Sequence, residues 1–137
     1  MDGPVDPAAG AAGAERWRHD AGIGGVAWFH GQVRGDSTSS GTVTAIEYTA
    51  YRPLADRELA AVIDEAMKRD GIAGVFLRHS LGLVPVGGTA MVVGVAGGHR
   101  GEVFATLPWL VDEIKRRVPI YGKELTDGDS YRWKVNT

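Results

Sequence analysis

The chain has 137 residues, 44% of them apolar and 23% charged, with 20 glycines and no cysteine. One domain of this size buries roughly two-thirds of the surface its unfolded chain exposes, so it needs no covalent staples. The missing cysteines exclude a disulfide framework, a cysteine zinc site, an iron–sulfur cluster and any thiol nucleophile or persulfide carrier, and a net charge of −2 lacks the basic excess of a general nucleic-acid binder.

The first stretch, Met1 to Ala14, is rich in Ala, Gly and Pro and carries acids rather than bases. It lacks the basic start and apolar core of a signal peptide and reads as a flexible arm, residues 1–14, ahead of one domain over 15–137. Gly24 to Arg34 predicts a strand carried by Val26, Trp28 and Phe29. Gly35 to Gly41 is a polar Gly/Ser loop. Thr42 to Tyr51, β-branched and aromatic, predicts a second strand. Pro53 opens a helix whose apolar positions Leu59, Val62, Ile63, Ala66 and Met67 share one face, and Gly71 ends it.

Ala73 to Leu81 and Thr89 to Val95 predict two further strands. The uncharged run from Ser80 to Gly98 is long enough to resemble a membrane span, but it holds Pro85 and six glycines. Two buried strands meeting at a tight turn at Gly87-Gly88 fit it better, and the chain is expected to be soluble and cytoplasmic. A second main helix is expected over Arg100 to Arg117, with Val103, Leu107, Leu110, Val111, Ile114 and Val118 on its buried face. Pro108 should kink or split it. Ile120 to Leu125 and Tyr131 to Val135 are short extended pieces around a turn at Thr126 to Asp129. Strand pairs interleaved with two main helices predict an α+β fold with a mostly antiparallel sheet.

No P-loop, dinucleotide fingerprint, serine elbow or HExxH is present, and the four histidines have no ligand spacing. No metal and no cofactor is implied. What stands out is a set of cations, most of them beside glycines: Arg34 before the Gly/Ser loop, His99-Arg100 after Gly97-Gly98, Lys115 at the end of the second main helix, and Lys123 after Tyr121-Gly122. Basic residues in the last turn of a helix complement its dipole, which accounts for Arg116 and Arg117 and leaves Lys115 open between that role and a functional one. Backbone N–H groups at a helix start, with an imidazole and a guanidinium, make a weak anion-site signature at His99-Arg100. A continuous helix would separate Arg100 from Lys115 by roughly 22 Å. Either the two serve different purposes, or two copies of the chain share each site.

Several stretches together resemble the large, catalytic subunit of molybdopterin synthase, the MoaE family. They are Gly24-Gly25 to Arg34, Ile46 to Tyr51 (IEYTAY), Arg78-His79 with Gly82, His99-Arg100, Val111 to Lys115 (VDEIK), Val118 to Glu124 (VPIYGKE) and Gly128 with Trp133. The resemblance implies an α/β-hammerhead-like domain that forms a homodimer, with a small ubiquitin-like sulfur-carrier subunit on each end. The carrier's C-terminal Gly-Gly thiocarboxylate would deliver sulfur to a cyclic pyranopterin monophosphate, making molybdopterin. The same resemblance implies that Gln32, Val33 and Arg34 bind substrate, that His99 and Arg100 add anion binding from the neighbouring subunit, and that Lys115 is the main catalytic group. Its pKa would fall among neighbouring cations. Lys123, as a second catalytic group, would line the pocket with Gly122 and Glu124.

The sequence departs from the family pattern at Gly122, where a lysine is usual, at Ser80, where an arginine is usual, at Tyr121 for Trp, and at Pro108. The Gly122 change keeps a second reading open: a weakened MoaE-like paralogue that binds a carrier as a dimeric module.

Overall fold

The structure, a computed structural model, describes residues 5–128 and 131–133. Its main elements are α1 (Ala9–Gly13), β1 (Gly25–Gln32), β2 (Ser37–Thr38), β3 (Gly41–Ala50), α2 (Arg52–Met67), β4 (Ile72–His79), β5 (Gly82–Pro85), β6 (Thr89–Gly97), α3 (Arg100–Arg117), β7 (Ile120–Thr126) and β8 (Tyr131–Trp133), with a 3-10 turn over Glu15–His19. All strand pairs are antiparallel and fall into two sheets, β1-β6-β4 and β2-β3-β7-β8, with β5 added on β3. This is the expected α+β fold, with α2 and α3 as its two main helices.

The uncharged run explains the centre. Every residue of β6 is buried, and its two faces divide by alternation. Met91, Val93 and Val95 pack with Val62 and Ala66 of α2 and Val103, Leu110 and Ile114 of α3. Val92 and Ala96 face the other way, onto Trp17, Phe76 and Val5, with Trp28 packed against them. Between those two stands Gly94, opposite Trp28 on one neighbouring strand and Phe76 on the other. A Cβ at Gly94 would overlap the Trp28 ring, so only glycine admits the aromatic layer at this point. Trp28 stacks on Trp17 with ring centroids 5.7 Å apart and meets Phe76 edge-on at the same distance.

That layer draws in part of the segment expected as an arm. Met1–Pro4 lie outside the described residues. From Val5 onward the chain lies against the sheet: Val5 is buried, and its N–H is 2.7 Å from the Ser80 hydroxyl, which donates in turn to the Thr89 carbonyl at 2.8 Å. Ser80, the residue standing where an arginine is usual, thus uses its hydroxyl to tie residue 5 to the sheet.

Two local expectations are corrected. The strands either side of Gly87-Gly88 meet at a tight turn, with Gly87 at φ +85° and the Gly88 N–H on the Pro85 carbonyl at 2.8 Å, but they do not pair with each other. β5 joins β3 in one sheet while β6 lies between β1 and β4 in the other. The turn therefore carries the chain between sheets, around a small core of Val33, Val43, Ile46, Val84 and Ala90. Pro108 does not split α3, which runs unbroken from Arg100 to Arg117 with Pro108 on its exposed side. A proline there forfeits one intrahelical hydrogen bond, which the burial of Val103, Leu110 and Ile114 outweighs. Of the last extended piece, Lys134 and Val135 lie outside the described residues, as does Asp129 of the preceding turn.

The candidate active site

α3 sets the geometry. Its buried stripe fixes which way the helix lies on the sheet, and Lys115, one residue beyond Ile114, comes to the edge of a pocket. The lining comprises Phe29, Gly31 and Gln32 of β1, Tyr48 of β3, His79 of β4, Ala90 and Met91 of β6, Ile114 and Lys115 of α3, Val118, and Ile120 and Gly122 of β7. Both sheets and the C-terminal end of α3 meet here. The enclosed cavity is about 90 Å³. Complete small-molecule sites run to roughly 300–1,000 Å³, so one chain encloses only part of a site for a ligand of pterin size.

The electrostatics of this pocket are set by partial burial and by the charge of Lys115 at its edge. Burial pushes the His79 imidazole below its ordinary pKa; a hydrogen bond to the Ser80 carbonyl opposes this, and the charge of Lys115 adds to the lowering. The Tyr48 phenol is pushed up, first by burial and then by the Glu124 carboxylate. Both groups are therefore neutral near pH 7. Their rings meet edge to face at 5.1 Å.

The residues singled out in the sequence divide by place. Gln32, Lys115 and Gly122 line the pocket. Glu124 is buried on the Gly122 side of β7, close enough to act on Tyr48. Lys123, expected beside it, falls on the opposite face because side chains alternate along a strand; its register partner is Glu47, whereas that of Gly122 is Tyr48. Val33 is a core residue, 3% exposed, whose N–H goes to the Gly88 carbonyl and whose carbonyl accepts from Gly87. Arg34 is exposed at the loop and ion-paired with Asp36 at 3.3 Å.

His99 and Arg100 are exposed at the start of α3, and Gly25, the first residue of β1, packs beside Arg100. The pocket lies at the other end of both elements. Eighteen residues of α3 put Arg100 roughly 22 Å from Lys115, and the length of β1, roughly 24 Å, separates Gly25 from Gln32 by a second ruler. Within one chain these cations do not share a site.

Arg116 and Arg117 do more than answer the helix dipole. Arg116 pairs with Glu113, and Arg117 reaches across to α2, contacting Glu65 at 2.7 Å and Glu58 at 3.3 Å. Both are thereby committed to ion pairs on the surface, and Lys115, beside them on the helix, lines the pocket. Tyr48 and His79 were not singled out as site residues. Their signal was present in IEYTAY and at the end of a predicted strand, but only the meeting of two sheets makes them neighbours. Among the described residues no group of three or more His, Asp and Glu is placed to hold a metal.

The MoaE protein family model matches residues 2–117. The chain belongs to the MoaE family. It is 35% identical over 116 residues to the molybdopterin synthase catalytic subunit of Thermoplasma volcanium, covering 85% of this chain and 82% of that one. The Emericella nidulans subunit of the same name is also 35% identical, over 108 residues, but this chain spans 55% of its length. Among solved structures, molybdopterin synthase from Staphylococcus aureus superposes with a TM-score of 0.80 at 26% identity, covering 96% of this chain and 92% of that one. A complex of subunits 1 and 2 of molybdopterin-converting factor from Helicobacter pylori has the same TM-score at 17% identity, a likeness of fold, covering 97% of this chain and 86% of that one. Among the described residues no helix is long and apolar enough to cross a membrane.

Proposed function

We propose that this protein is the catalytic subunit of a molybdopterin synthase, a sulfurtransferase of molybdenum-cofactor biosynthesis that works in the cytoplasm. It takes sulfur from the C-terminal thiocarboxylate of a small carrier protein and places it on a cyclic pyranopterin monophosphate. The observation that carries this reading is Lys115 in the lining of a pocket built from both sheets, in a chain of the MoaE family. Named relatives are molybdopterin synthase catalytic subunits, and the Helicobacter pylori relative is a complex of two subunits.

Lys115 supplies a cation where negative charge develops as the thiocarboxylate carbon or the pterin reacts. In a partly enclosed cleft such a charge is worth more than in bulk solvent. Gln32 offers amide donors and an acceptor on the same wall. A chain with no cysteine cannot carry the sulfur itself, so the sulfur arrives already activated on its partner.

The small single-chain cavity and the two-ruler separation support a site shared by two copies. One copy gives the Lys115 pocket and the other gives His99 and Arg100 at the start of α3, where they hold the substrate's anionic groups. Arg34, on the exposed loop, meets the same groups once its Asp36 pair opens.

The test is reconstitution. The purified chain, mixed with thiocarboxylated carrier and cyclic pyranopterin monophosphate, forms molybdopterin. Tight carrier binding with no product overturns the enzyme reading and establishes the carrier-binding module that Gly122, standing where a lysine is usual, favours.

A further inference from the structure

The pocket wall opposite Lys115 holds a residue whose chemistry is fixed by one contact. His79 Nδ1 lies 2.7 Å from the Ser80 carbonyl oxygen. A carbonyl only accepts, so Nδ1 carries the proton, and in the neutral ring Nε2 becomes the acceptor. The ring is clamped from its side by Tyr48 and stands in the lining shared with Lys115. On the β7 wall, Gly122 contributes no side chain at all. Among the described residues the lining thus contains one cation, Lys115, and one nitrogen able to accept a hydrogen bond from it, His79 Nε2.

We propose that His79 is a positioning residue for Lys115: its Nδ1–H is anchored on the Ser80 carbonyl, and Nε2 accepts from the Lys115 ammonium and holds that ammonium inside the pocket. This rests on Lys115 being the group that acts there. It also gives the chain a way to orient its lysine without the second cation usual in the family, since the acceptor across the pocket fixes one end of the donor fan. A protonated His79 could not do this, because both ring nitrogens would then be donors.

The surroundings favour the neutral ring. Lys115 faces it from α3 and Tyr48 from β3, while Arg78 flanks it on β4. On its far side a second cleft brings Arg52 and Asp56 of α2, paired with each other at 3.4 Å. Burial and the Lys115 charge hold the imidazole pKa below 6.5. Positioning is therefore intact at neutral pH and lost as pH falls through that lowered value.

Two arms test it. In the first, nitrogen NMR of the folded protein reads the His79 tautomer and titration. The Nδ1–H form is expected, with a midpoint that rises when Lys115→Gln removes the neighbouring charge. An Nε2–H tautomer, or the same midpoint in both proteins, overturns the proposal. In the second arm, His79→Asn keeps an amide near Nδ1 but loses the Nε2 position, while His79→Gln puts an acceptor near Nε2. With carrier and pterin supplied, His79→Asn is expected to lower kcat about tenfold with KM changed less than about twofold. His79→Gln regains most of the rate and lacks the acid limb of the wild-type pH profile. Wild-type kcat and an unchanged acid limb in His79→Asn overturn the proposal. If His79→Asn melts early, His79→Gln and the NMR arm still decide. If the wild-type chain makes no molybdopterin, the sulfurtransferase reading fails while the NMR arm continues to test the contact.

Discussion

The two ends of α3 carry the cations of interest in opposite settings. At its start, His99 and Arg100 stand exposed, next to a glycine pair that brings the chain out of β6. At its end, Lys115 borders a cleft made by five strands and shares it with two half-buried, neutral rings. Exposed cations recognise charge at modest strength, because water and salt screen them; a cation at the edge of a partly enclosed cleft is screened less. The proposed function divides the labour accordingly: binding at the first end, chemistry at the second. Joined by one rigid helix, the two ends can serve a single small substrate only through a second copy of the chain.

The sharpest way to break that division is to truncate each end. Lys115→Ala should lower kcat by about a hundredfold or more with an unchanged melting temperature, read in steady-state kinetics and a thermal melt. Equal kcat would end its role. Arg100→Ala should instead raise KM for the pterin about tenfold with a smaller change in kcat. A loss confined to kcat would move Arg100 from binding to chemistry.

Below these come effects on the scaffold. Gly94→Ala should destabilise the fold by about 1–3 kcal/mol by pushing Trp28 off the sheet, measured by denaturant unfolding. Because the aromatic layer lies on the face away from α2 and α3, the Lys115 pocket should keep its kcat in the folded fraction. The smallest effect belongs to Lys123→Ala, less than about twofold in kcat, since its register faces Glu47 rather than Tyr48. A large loss would show the side chain curling around the strand to the Gly122 side.

Helices and most strands were legible because their signals are local. The apolar stripe of Val103, Leu110 and Ile114 marks the span of α3, and Pro108 does not split it because burial on one face outweighs one lost backbone bond on the other. The exchange between sheets at Gly87-Gly88 was not legible. A turn looks the same whether its strands pair or part, and pairing is decided by distant residues, here β3 and β1. The site followed the same rule. Lys115 stood out as a cation after a helix stripe, and the roughly 22 Å to Arg100 could be computed from helix rise alone. His79 and Tyr48 are neutral, ordinary strand residues until two sheets bring them to 5.1 Å. Lys123 illustrates the converse: adjacency to Gly122 in sequence places it on the other face of the strand.

Subunit mixing tests the shared site most directly. Arg100→Ala and Lys115→Ala chains, each weakened alone when pterin is kept below the wild-type KM, are combined with confirmed subunit exchange and supplied with carrier and that low pterin. In a heterodimer one of the two sites keeps both wild-type residues, so random exchange should restore about a quarter of wild-type activity. No recovery above the separate variants would place both residues in the site of a single chain, or outside it, and would contradict a site built across two copies.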